Sequence, residues 1–126
     1  MPKARVFKST GESNRPNKFM AHSRFNGADI IQSIFGTISY TVEYQDGTIT
    51  ANAVSLTPAS VVFNALVPPA TDPDWTVDAL GYNFMAILPA TAFPNEGDYV
   101  VRFDGVPTGF TAFTIAKFYH HCNSLT

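Results

Sequence analysis

Ile38-Ser39-Tyr40-Thr41-Val42-Glu43-Tyr44-Gln45-Asp46-Gly47-Thr48 decides the fold class. Ile38, Tyr40, Val42 and Tyr44 alternate with Ser39, Thr41 and Glu43. A period of two is the mark of a strand with one face buried. Asp46-Gly47 then signals a hairpin, with the type I′ turn that needs positive φ at both central residues. Residues 48–53 read as the returning strand. Working outward, 61–63 starts another short strand that stops before Pro68-Pro69. Residues 82–88 form the next and end at Pro89. In 98–104, Tyr99, Val101 and Phe103 share one face. In 110–119, Phe113 and Ile115 lie on one face, with Thr114 and Ala116 on the other. About six strands with frequent turn signals and no sustained 3.6-residue period predict an all-β, antiparallel β-sandwich. No helix longer than two turns is expected.

The chain has 126 residues, 45% of them hydrophobic and 13% aromatic, which suits one folded domain and excludes global disorder. No apolar run is long enough for a membrane span. The first five residues lack an apolar stretch, so no signal peptide is expected. Cys122 is the single cysteine, which excludes an intrachain disulfide and a zinc ribbon.

Charge is sparse and uneven. Only 14% of residues are charged, against about 25% in an ordinary soluble domain. Residues 1–28 carry six cations against Glu12 alone, a net +5, while the remainder carries two against nine acids, a net −7. Pro2, Gly11, Pro16 and Gly27 interrupt the first segment, and it shows no period. The expected organisation is an extended basic N-terminal arm over 1–29 and a β-sandwich over 30–126. Phe7, Phe19 and Phe25 would anchor the arm on neighbouring subunits. Arg5, Lys8, Arg15, Lys18 and Arg24 would guide its encounter and register. A body so poor in charge is expected to lie against other protein.

Asn95-Glu96-Gly97-Asp98-Tyr99 precedes a strand with Asn-x-Gly-x-Tyr spacing. In immunoglobulin-like sandwiches a Tyr at the start of strand F sends its hydroxyl back to the chain just upstream. Tyr99 is expected to form that corner, with Gly97 as the turn residue. Asp74-Trp75-x-x-Asp78-x-x-Gly81-Tyr82-Asn83-Phe84 comes earlier, followed by Pro89, Phe93-Pro94 and Gly97-x-Tyr99. Asp46-Gly47, Leu56, Pro58 and 61–63 precede it. Together, over roughly 36–118, they resemble small immunoglobulin-like virion proteins of tailed bacteriophages. The resemblance implies a structural role in the virion, assembled in the host cytoplasm. It implies a capsid decoration or cement protein, a neck or head–tail connector, or a tail module. The expected partners are the major capsid protein, other virion proteins and further copies of the chain. The resemblance supplies no catalytic residue, and the basic segment lies outside it.

Other chemistries have weaker signals. His120-His121-Cys122 offers metal-ligand types, but neighbours on a strand point to opposite faces, so no metal or other cofactor is expected. Asp72, Asp74 and Asp78 lack EF-hand spacing, and Asp is a common turn residue. No nucleophile motif or phosphate loop occurs, so no enzyme is expected. The cations and Phe of the arm would suit nucleic acid, but the acidic body would repel it. Trp75 or Tyr82 on a loop would suit a carbohydrate-binding adhesion module, with Trp75 as a core plug the simpler reading.

Overall fold

The computed structural model describes residues 5–72 and 74–124, with Arg5 described by its backbone alone. Five strands form the larger sheet: β1 (Arg5–Glu12), β5 (Phe35–Tyr44), β6 (Ile49–Leu56), β9 (Gly97–Pro107) and β10 (Phe113–Asn123). Their order is β1-β10-β9-β5-β6, antiparallel except that β1 runs parallel to β10. The smaller sheet holds β2 (Asn17–Ala21), β8 (Tyr82–Leu88) and β7 (Val62–Val67) in the order β2-β8-β7. β3 (Arg24–Phe25) and β4 (Ala28–Asp29) make a two-stranded ribbon. Among the described residues the one α-helix is α1 (Pro58–Val61), shorter than two turns, as expected. The molecule is the all-β sandwich the alternation predicts.

Ile38, Tyr40 and Val42 of β5 and Tyr99, Val101 and Phe103 of β9 face inward onto Phe84, Ala86 and Leu88 of β8. The hairpin at Asp46-Gly47 forms by a different turn. Tyr44 pairs with Thr48, and the Gly47 N–H donates to the Tyr44 carbonyl at 2.9 Å. Only Gly47 has positive φ, at 90°. The loop is therefore three residues long, ending in a glycine bulge. Left-handed φ at two successive residues occurs instead at Asn26 (52°) and Gly27 (78°), between β3 and β4.

The main departure lies in residues 5–29, expected as an arm. They supply β1 to the larger sheet and β2 to the smaller one. Phe19 is 1% exposed and meets Phe93, Phe103, Phe118 and His120 at ring-centroid distances of 5.9, 5.7, 5.0 and 4.7 Å. Phe7 stacks on Phe118 at 5.1 Å, and Phe25 packs on Phe113 at 4.8 Å. The anchors are thus spent on this chain's own core. β1 escapes a periodicity search because the inward positions among its described side chains are Phe7, Ser9 and Gly11, of which one is a large apolar residue. β2 escapes it because it is buried on both faces, Phe19 and Ala21 in the main core and Met20 beneath Trp75.

Trp75 is buried, but not as a plug at the end of the sandwich. It packs with Met20 and Tyr82 in a second cluster. Met20 lies on the strand face opposite Phe19, so residues around Trp75 cover the outer face of the smaller sheet. Tyr99 is buried, its hydroxyl donates to the Asn95 carbonyl at 2.7 Å, and it accepts from the Asn95 N–H at 3.0 Å. Gly97 beside it has φ 134°.

Candidate functional site

A register shift in β10 between Thr114 and Ala116 shapes the candidate site. Phe113 before it and Ile115 within it point inward; after it, Ala116, Phe118, His120 and Cys122 do. A bulge adds one residue and so exchanges the faces of everything that follows. Ala116 was expected opposite Ile115, and the bulge buries both. It also sends His120 into the core and leaves His121 outside, where its Nδ1 meets Asp98 at 2.6 Å. The two histidines therefore face away from each other, within a strand. Among the described residues no group of three or more His, Cys, Asp or Glu could hold a metal ion.

His120 is 2% exposed and sits in a polar network. Its Nδ1 lies 2.6 Å from Ser9 Oγ, and its Nε2 lies 3.1 Å from Asn17 Oδ1. Asn17 gives its Nδ2 protons to the carbonyls of Glu12 and Arg15, at 3.0 and 2.8 Å. Its Oδ1 receives the Glu12 N–H at 3.2 Å. That oxygen is therefore an acceptor, the His120 proton sits on Nε2, and the Ser9 hydroxyl donates to Nδ1. Burial, with His121 nearby, holds the His120 pKa down at about 4. The neutral ring fastens β1 to β10 and to β2. Gly11 is part of the fit, because a Cβ there would collide with the Asn17 side chain.

Ser9, His120 and Asn17 resemble a nucleophile–base–orienter array in residue type. A base must take up a proton, and here the charged ring would be buried against an uncharged amide rather than a carboxylate. The arrangement favours holding the strand over moving a proton. Sequence reading misses this network because its members lie 111 and 103 positions apart.

Beside it runs a groove of about 1100 Å³ between β1 and β2. Phe7, Phe118 and Met20 give it apolar walls, and Lys8, Arg15, Lys18, Glu12 and Asp74 give it charge. Lys18 is held by Asp72 at 3.1 Å and Asp74 at 2.6 Å, which raises its pKa. Arg24, at the far ribbon, reaches the Gly27 carbonyl at 2.7 Å and Asp29 at 3.5 Å. Lys8 and Arg15 are exposed and form no ion pair among the described residues. Of the expected interface residues, the groove thus gathers Phe7, Lys8, Arg15, Lys18 and Phe19, and leaves out Arg24 and Phe25. The side chain of Arg5 lies outside the described residues.

The aspartates of 72–78 are occupied by groups of this chain. Asp72 and Asp74 hold Lys18, and Asp78 accepts from Trp75 Nε1 and from the Leu80 and Gly81 N–H groups. Trp75 and Tyr82, each 4% exposed, offer no surface for stacking a sugar.

No protein-family model matches the chain, and no curated protein matches it.

Proposed function

We propose that this chain is a non-enzymatic, immunoglobulin-like structural protein of a tailed-phage virion, acting as a cement or decoration protein on the capsid. Strand order and corner support the immunoglobulin-like part. With β2, β5, β6, β7, β8, β9 and β10 taken as strands B, C, C′, D, E, F and G, the sheets read B-E-D and G-F-C-C′. Tyr99 then stands at the start of strand F with its hydroxyl returned to Asn95.

The functional part rests on one observation: apolar side chains stand out on a body with few charges. Val6, Ile49, Val54, Ile87, Val106 and Phe110 are all exposed. Such a surface suits burial against other protein, at about 25 cal/mol for each Å² of apolar area removed from water. Repetition by particle symmetry sums weak contacts through avidity. Because Phe7, Phe19 and Phe25 pack within the chain, the faces of the sandwich carry the attachment. A neck or tail position is the alternative. Quantitative mass spectrometry of purified virions separates the two. Hundreds of copies per particle support cement, six or twelve support neck or tail, and absence from the virion overturns both.

A further inference from the structure

Four edges end the two main sheets, and three carry devices that discourage further pairing. β6 departs from β5 register twice and holds Ala53 at φ 46°. β7 is bulged against β8. β2 is five residues long, with Pro16 ahead of it and Lys18 within it. β1 differs: all eight of its residues keep unbroken register with β10, and among the described residues no strand pairs with its other side.

The Ser13 N–H donates to the Asn123 carbonyl, on the β10 side. The Glu12 N–H donates to Asn17, on the other side. Alternation along the strand then aims the N–H and C=O groups of Val6, Lys8 and Thr10 at the free edge, over the groove. We propose that this edge receives an extended acidic segment of a partner protein as an added antiparallel strand.

Charge selects the occupant. Lys8 and Arg15 border the groove without ion-pair partners among the described residues, two cations against the one unpaired carboxylate of Glu12. A second copy of β1 is disfavoured. The register that bonds all three residues places Lys8 opposite Lys8 of the second copy, and like charges directly opposite destabilise a strand pair. β2, β6 and β7 contain no Asp or Glu, so those edges of another copy bring no carboxylate to Lys8. A segment alternating acidic and apolar residues fits both faces. Its carboxylates meet Lys8, and its apolar side chains enter the groove against Phe7 and Phe118. Backbone bonds supply affinity and side-chain alternation supplies specificity, as in other strand additions.

The probe is a blocked heptapeptide alternating Val and Glu, titrated into the isotope-labelled full chain. Amide exchange at Val6, Lys8 and Thr10 is expected to slow. A Val/Lys heptapeptide should bind roughly fivefold more weakly or worse, and Lys8→Glu should invert that preference. N-methylation at each Glu of the peptide should abolish binding. Unchanged exchange at the three amides, equal binding of both peptides, or a preference unmoved by Lys8→Glu overturns the proposal. So does sedimentation showing a dimer through β1 that the acidic peptide cannot displace. The readout uses isolated protein, so a negative result here leaves the virion reading to its own test.

Discussion

Replacing Phe19 by Ala separates a segment that belongs to the core from one that docks elsewhere. Phe19 is 1% exposed, and its ring meets three Phe rings and His120. Phe-to-Ala changes in well-packed cores cost about 3–5 kcal/mol, combining lost transfer energy with the cavity left behind. Surrounding aromatic rings are rigid and collapse poorly, so about 4 kcal/mol is expected. Against a total of about 5–15 kcal/mol for a domain, much of the stability goes. With a urea slope of about 2 kcal/mol per M, the midpoint should fall by about 2 M at unchanged slope. Phe110→Ala is the control: that ring is 56% exposed and should cost less than about 1 kcal/mol. An arm that docks on neighbours predicts the reverse, full stability for Phe19→Ala and impaired assembly. A loss below about 1 kcal/mol at Phe19, or equal losses at the two positions, refutes the core assignment.

Tyr99→Phe should cost about 1–2 kcal/mol in urea unfolding, because the Asn95 carbonyl and N–H both lose their partner. Acid should weaken the protein through His120. With a folded pKa of about 4 against 6.5 unfolded, the unfolded chain binds the extra proton. Stability is full above pH 6.5 and falls as pH drops toward 4, by roughly 3 kcal/mol in all. Comparing urea midpoints at pH 7 and pH 4.5 for wild type and His120→Gln checks this, and an equal loss in both assigns it to other groups. Cys122 is fully buried, and burial raises its thiol pKa to about 11. It should react with an aromatic disulfide reagent only at the unfolding rate, and immediate stoichiometric labelling of native protein contradicts that burial.

The strands legible in the sequence are those that keep one face wet. β5 and β9 alternate cleanly because their outer positions, such as Glu43 and Arg102, remain exposed. Tyr99 was legible because its spacing to Gly97 and Asn95 is local. β1 and β2 were not, since one has few apolar positions and the other is buried on both faces. The placement of His120 was illegible for another reason. It depends on the bulge at 114–116, and nothing in Thr114-Ile115-Ala116 announces one. Basic residues clustered near one end of the sequence also lost their meaning as a patch once the chain folded, with Lys18 and Arg24 paired at separate places.

The parallel pairing of β1 with β10 has a consequence for biosynthesis. Arg5 meets Ala116 and Glu12 meets Asn123, so β1 can close only on a strand made long after it. Ribosomes add about 5–20 residues per second, so β1 waits roughly 5–25 s for its partner to be made. The ribosomal tunnel still covers β10 when it is completed, so this pairing is delayed until β10 has left the tunnel. During that interval Phe7 and the backbone of β1 are available to anything nearby, including the nascent chains of adjacent ribosomes. Such long-range closure is intrinsically slow. A ribosome stalled before residue 113 would therefore hold a chain whose β1 has no native place to go, and protease pulses on such stalled chains should cleave within 5–12.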